Sequence, residues 1–322
     1  MPEALWSDEP IDKQPNSPEA WVDRLADQVE IERLLSMGVL MKREEFSGEI
    51  IGNLTTRFVY DWRLKAYKAD GASDNSAVMR WMRRRRFVAR EFANIRRDDT
   101  YSPATGSHTN HLIPLAYLNM LAQVENSGSS DETYQVVLYS LDMKDAFLHV
   151  PQENVVEVNL HDVKYVVLKN LPGQRLGAKA WYWYFRQYAT EPMQFEWSLI
   201  QPCLAKNGRN VFMLHVDDLL FTGNLVFWRD VFLPTMQQKF SISFNVLGCE
   251  GSEIAFLKRR LVRLSDGIML VPGTTVEKVL KCFEGFFGKV RLQKTPCEAG
   301  IQQENQSQQL GPQDSSSYIG AS

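Results

Sequence analysis

Residues Phe212-Met213-Leu214-His215-Val216-Asp217-Asp218-Leu219-Leu220-Phe221-Thr222-Gly223 set two short apolar runs on either side of two adjacent carboxylates. Apolar runs of this length meeting at Asp predict a tight β-hairpin, because Asp tolerates the unusual φ values such turns demand. The turn is then acidic. Neighbouring carboxylates repel and no Lys or Arg flanks them, so an external cation is the economical source of neutralisation. Oxygen-only ligands favour a hard ion, magnesium (Mg2+) with Mn2+ as its close substitute, which keeps waters and shares its sites with phosphates. A solvated hairpin tip is the plainer alternative, since Asp is common in turns.

A second acidic stretch weighs against that alternative. In Tyr134-Gln-Val-Val-Leu-Tyr-Ser-Leu-Asp142-Met-Lys-Asp145-Ala146-Phe147-Leu148 a β-branched and apolar run leads into Asp142, as in a buried strand that delivers a carboxylate to its exposed end. Asp145 joins the same side if the chain turns there.

Composition narrows the field. At 322 residues and 44% hydrophobic, the chain is long enough for a large domain or several subdomains around connected cores. Cys203, Cys249, Cys282 and Cys297 are scattered without a Cys-x-x-Cys pair, which argues against a zinc knuckle, a redox motif or a disulfide framework. The first ten residues lack a basic region and an apolar core, and no run approaches the roughly 18 apolar residues that span a bilayer. The expectation is an intracellular protein, cytoplasmic or nuclear, that is neither secreted nor membrane-bound. The net charge of −3 gives no global sign of a nucleic-acid partner, so that case rests on local patches.

One such patch is Arg80-Trp-Met-Arg83-Arg84-Arg85-Arg86-Phe87-Val88-Ala89-Arg90, six arginines with no acid among them. Arg forks match phosphate oxygens while neutralising charge, so a β-ribbon of this kind suits phosphate contacts. A solvated face is the alternative, although such faces are usually mixed in sign. Around this ribbon, residues 1–18 read as an acidic, Pro-bearing tail without structure, and apolar spacing predicts a helix from Glu19 to near Gly38. A strand is predicted over Arg57–Lys65, a turn over Ala66–Ala77 and a helix over His111–Val124. In the aromatic group Trp181–Tyr188, Trp181, Phe185 and Tyr188 share a helical face that reads as core rather than as a base-stacking surface. Beyond Glu298 the chain is Gln-rich and of low complexity.

The two acidic stretches, Ser140 to His149 and His215 to Asn224, resemble the two metal-binding motifs of reverse transcriptases, specifically the Ty1/copia retrotransposon type. Supporting segments follow in the family's order. Arg86-Phe-Val-Ala-Arg90-Glu-Phe resembles the basic fingers strand, Asp99-Thr-Tyr-Ser-Pro103 the next segment, and Leu171-Pro-Gly173-Gln-Arg-Leu-Gly177-Ala-Lys-Ala-Trp181 the template- and nucleotide-contacting motif. The resemblance implies an α+β, right-hand polymerase: an antiparallel-sheet palm with fingers and thumb subdomains, occupying residues 19–298. Residues 299–322 would be a low-complexity tail running into the start of a missing RNase H connection.

The resemblance further implies an RNA-directed DNA polymerase that acts on an RNA/DNA template-primer with deoxynucleoside triphosphates, alongside other parts of a retroelement polyprotein. Asp142, Asp217 and Asp218 would be catalytic and hold two Mg2+ ions. Arg86, Asp145, Ala146, Phe147 and Gln174 would bind the nucleotide, Phe147 as a steric gate beneath the sugar. Arg83, Arg84, Arg85, Arg90 and His215 would contact nucleic acid. His215 stands where the family usually has Tyr, Leu176 where it usually has Gln, and Ile254-Ala-Phe-Leu257-Lys258 replaces a Phe-Leu-Gly primer segment. Two other functions compete: a catalytically decayed, retroelement-derived nucleic-acid-binding protein, flagged by His215 and Lys258, and an unrelated Mg2+-dependent phosphohydrolase or nuclease. The latter lacks an evident general base other than His215 and leaves Ala146-Phe147 unexplained.

Overall fold

A computed structural model of the chain describes residues 2–9, 20–67, 78–91, 111–128, 134–272 and 274–287. The amino-terminal part contains β1 (Trp6–Ser7), α1 (Ala20–Ser36), β2 (Leu40–Lys42), β3 (Gly52–Asn53), β4 (Thr56–Tyr67), β5 (Val78–Ala89) and α2 (Leu112–Ser127). The middle contains β6 (Val136–Met143), β7 (Pro151–Leu160), β8 (Val163–Lys169), α3 (Gly177–Thr190), β9 (Glu196–Trp197), β10 (Leu204–Asn207), β11 (Asn210–His215) and β12 (Asp218–Asn224). Then come α4 (Leu225–Phe227), which runs through a π-helical turn into α5 (Leu233–Lys239), β13 (Ile242–Val246), β14 (Glu253–Phe256), β15 (Arg259–Arg263), β16 (Ile268–Pro272) and α6 (Thr274–Phe287). The fold is α+β, and all of its strand pairs but β3–β7 are antiparallel among the described residues.

The acidic hairpin organises the largest sheet, whose order is β13-β6-β12-β11-β10-β9. Its central strands β6, β12 and β11 are largely apolar runs because both faces are covered. Alternation sends Leu141, Met143, Phe212, Leu214, Leu219 and Phe221 to one face, against Trp181 and Phe185 of α3 and the Trp228–Met236 helix. Leu138, Met213 and Leu220 point the other way, onto Ile113 and Tyr117 of α2 and onto the small sheet β14-β15-β16. Trp181 and Phe185 are fully buried, so the aromatic helix is core as the sequence predicts. This sheet stands where the resemblance puts the palm.

Two smaller sheets, β1-β5-β4 and β2-β8-β7-β3, are built from the strands before β6 together with β7 and β8, which lie between β6 and the acidic hairpin. α1 packs on β5, and Leu34, Phe87, Val167 and Leu171 join these elements in one core. α1 ends as predicted, because Gly38 takes φ 63° and lets the Gly38 and Val39 N–H groups reach the Leu35 and Leu34 carbonyls. The amino-terminal expectation needs correction. Residues 2–9 are not a structureless tail: Leu5 is buried, and Trp6 and Ser7 pair with Met82 and Trp81 as a third strand on β5. Two apolar side chains and an open strand edge outweigh the acidic, Pro-bearing composition. The turn after β4, the Asp99–Pro103 segment and the tail beyond 298 lie outside the described residues.

Candidate active site

The hairpin turn is strained, and two contacts hold it. β11 and β12 pair up to His215 and Asp218, leaving Val216 and Asp217 to make the turn, with Val216 at φ 56°. A β-branched residue in the left-handed region is uncommon and costly. The buried Trp181 indole donates Nε1–H to the Val216 carbonyl at 2.6 Å, and the Met143 N–H donates to the Asp217 carbonyl at 2.9 Å. α3 and β6 therefore fix the turn from opposite sides.

That arrangement brings the three sequence-predicted acids together. Asp142 of β6 sits directly across from Asp218 of β12, and Asp217 lies in the adjoining turn. Asp142 and Asp217 face solvent, whereas Asp218 is half-buried. Although Asp217 reaches solvent, the atoms packed around the turn desolvate its carboxyl and push it above the usual carboxylate range, and the Asp142 charge adds to the shift. Burial, then the Asp217 and Asp142 charges, push Asp218 up to about 6. Carboxylates that raise one another in this way are short of positive charge. Among the described residues no group of three or more His, Cys, Asp or Glu side chains is placed so that it could hold a metal ion by itself. Mg2+ does not require one, since it is commonly held by one or two carboxylates together with water and substrate phosphates. The donor set fits such an ion.

Facing the acids across a cleft of about 570 Å³ is the β4–β5 hairpin. The ribbon expected as one free basic surface is in fact divided by strand alternation. Arg83 and Arg85 point to α1: Arg83 is buried and bonds Asp23 at 2.9 Å, and Arg85 bonds the buried Asp27 at 2.5 Å. Tyr60 and Trp62 on the neighbouring strand stack beneath these two guanidiniums. Such neutralised, buried pairs are poor candidates for phosphate contacts, a correction to the reading of Arg83 and Arg85. Arg84 and Arg86 occupy the other face with Arg63. Arg63 holds Asp61 at 2.9 Å and Arg86 touches it at 3.5 Å; Asp61 is drawn below its usual range because the Arg63, Arg86 and Arg84 cations outweigh its burial. Arg84 is half-buried, and burial, then Arg63 and Arg86, lower its pKa. It has no hydrogen-bonded acid among the described residues. The cleft thus opposes an acid-rich wall with a cation-rich one.

The remaining predicted residues are placed as follows. Asp145 lines the cleft in a left-handed turn, but its carboxylate goes to Arg33 at 2.7 Å rather than joining Asp142. Ala146 is buried, and Phe147 lines the cleft with its ring against Gly177, where a Cβ would come within 3.4 Å of it. Gln174 turns its Oε1 to the Leu171 N–H at 2.6 Å and so braces its own loop. Gly173 in that loop, at φ 90°, lets the loop sit against the Ala89 carbonyl, which a Cβ would approach to 2.3 Å. Arg90 is exposed at the end of β5, and His215 is half-buried beside Asp218. Burial lowers the His215 pKa, against the pull of Asp217. Sequence reading missed Asp23, Asp27 and Glu30 of α1, although their i, i+4, i+7 spacing marks one acidic helix face. It also missed Arg33, Arg63 and the bond from Trp181 to the turn.

No family model and no curated protein matches the sequence. Among solved structures, the chain is similar to a foamy viral protease-reverse transcriptase in complex with dsDNA, at 14% identity and a TM-score of 0.42, over 80% of this chain and 43% of that one. It is similar to the native prototype foamy virus protease-reverse transcriptase at 14% identity and TM-score 0.38, over 86% and 32% of the two chains. A telomerase from Candida albicans in complex with a telomeric RNA fragment follows at 9% identity and TM-score 0.36, over 62% and 37%. The chain spans less than half the length of each of these neighbours. Likenesses at this level say nothing about chemistry, which the side chains must carry.

Proposed function

We propose that this chain is a template-directed nucleotidyltransferase of the reverse transcriptase kind, and more finely an RNA-directed DNA polymerase of a copia-like retrotransposon. The observation that carries the reading is the opposition of Asp142 and Asp217 to Arg84 and Arg86 across one open cleft, with Asp218 paired directly beside Asp142. The order of the sequence motifs supports the finer statement. Asp142 and Asp217 would hold Mg2+, with Asp218 buttressing the turn. When bound, the metal supplies charge neutralisation for the triphosphate and activates the attacking 3′ hydroxyl. Arg84 and Arg86 would balance the remaining phosphate charge, the N–H groups of Asp145 and Ala146 would donate to phosphate oxygens, and Phe147 would lie beneath the sugar. His215 would adjoin the primer end. An RNA/DNA template-primer and deoxynucleoside triphosphates are the proposed ligands.

Primer extension on a homopolymer RNA template, with and without Mg2+, tests the proposal. Metal-dependent extension supports it. Template binding without extension would favour a catalytically decayed, nucleic-acid-binding protein. Hydrolysis of phosphate esters without extension would favour a phosphohydrolase or nuclease.

A further inference from the structure

One ion-pair chain crosses from α1 to the acidic strand. Arg33 forks Nε and Nη2 onto Glu30 at 2.8 and 2.9 Å and reaches Asp145 Oδ2 with Nη1 at 2.7 Å. Glu30 is buried and also accepts the Phe87 N–H at 3.4 Å, so the contacts run from β5, beside Arg86, through α1 to Asp145. Asp145 (φ 58°, ψ 33°) heads the short turn of helix Ala146–His149, yet its side chain makes no capping bond there. An Asp at such a position ordinarily folds back onto nearby N–H groups. Just before it, the Met143 and Lys144 N–H groups are taken by the Asp217 and Ser241 carbonyls. Among the described residues, the Asp145 and Ala146 N–H groups have no acceptor, and both residues line the cleft.

We propose that Arg33 is a positioning residue: it draws the Asp145 carboxylate out of the turn and neutralises it, leaving two successive N–H groups bare for phosphate oxygens. Successive backbone N–H groups in a turn form an anion-binding concavity, and an unpaired carboxylate beside them would both occupy and repel. Only the identity of the anion rests on the polymerase reading; the device itself is a matter of Arg33, Asp145 and the turn. Arg33 itself also lines the cleft, and the role assigned to it is the one exerted through Asp145.

The test uses the full chain and inorganic tripolyphosphate as the probe. Without ligand, Arg33→Gln should slow hydrogen exchange at the Asp145 and Ala146 amides by roughly tenfold, because the freed carboxylate folds back onto them. The same variant should bind tripolyphosphate roughly tenfold more weakly, the equivalent of losing one charge-assisted hydrogen bond. Adding Asp145→Ala to Arg33→Gln should restore most of the affinity, which a merely structural role for Arg33 would not allow. Arg33→Lys, which can keep a single bond to Asp145, gives an intermediate exchange rate and serves if the Gln variant fails to fold. Exchange unchanged in both variants, or an affinity loss that Asp145→Ala does not relieve, overturns the proposal. If the wild-type chain binds no tripolyphosphate, the nucleotide reading of the cleft fails, while the exchange rates still decide the role of Arg33.

Discussion

Trp181→Phe probes the coupling between the hydrophobic core and the acidic turn. The substitution removes the indole N–H that bonds Val216 O at 2.6 Å and some of the volume of a side chain only 1% exposed. A carbonyl left without its donor costs about 2 kcal/mol. The lost ring atoms add about 1 kcal/mol of transfer and cavity energy. The expected loss is therefore roughly 3 kcal/mol, read as a lower urea midpoint with an unchanged slope. The strain at Val216 supplies a control. Its left-handed conformation costs about 1 kcal/mol that glycine would not incur, so Trp181→Phe should be about 1 kcal/mol less damaging in a Val216→Gly background. Strictly additive effects, or a Trp181→Phe loss below about 0.5 kcal/mol, would refute the view that α3 holds the turn in place.

Four further outcomes are expected. Asp142→Asn and Asp217→Asn should each abolish primer extension with little change in thermal midpoint, since an amide keeps the shape but does not hold Mg2+ as an anion does; undiminished extension by either would remove the metal assignment. Because Asp218 titrates near 6, above its unfolded value, its contribution to stability is fully present below about pH 4 and is lost as pH rises through about 6, while Mg2+ binding should strengthen over the same interval; opposite slopes in pH-dependent unfolding and metal titration would check the sign, and a flat Mg2+ profile from pH 5 to about 7 would remove Asp218 from the site. Arg84→Gln with Arg86→Gln should flatten the salt dependence of template-primer binding, whereas Arg83→Gln should chiefly destabilise the fold, by about 3 kcal/mol, through loss of the Arg83–Asp23 ion pair; the reverse pattern in binding isotherms and melts would contradict the division of the ribbon. Phe147→Val should raise ribonucleotide use relative to deoxynucleotide, as the ratio of the two kcat/KM values; loss of stability with no change in that ratio would make Phe147 a core residue alone.

Much of this molecule was legible in the chain itself. The apolar runs around Asp217 and Asp218, and the run into Asp142, carry the period and length of strands buried on both faces, and the hairpin forms at those residues because the pattern admits few other solutions. Trp181 and Phe185 declared themselves core by sharing a helical face. What sequence spacing does not encode is which side chain meets which across the fold. Arg83 and Arg84 are neighbours of the same type, yet β-strand geometry sends one to Asp23 on α1 and the other to the cleft. Trp6 pairs with β5 because an open edge lies within reach, a circumstance that composition does not reveal. Asp145 lines the same cleft, but its carboxylate is taken by Arg33, 112 positions earlier, at 2.7 Å, a partner that its neighbours in sequence do not reveal. Local pattern determined the elements and delivered the carboxylates. Only the tertiary structure decided which charges are neutralised inside the fold and which remain in the cleft, because ion pairing depends on distances of a few ångströms between segments far apart in the chain.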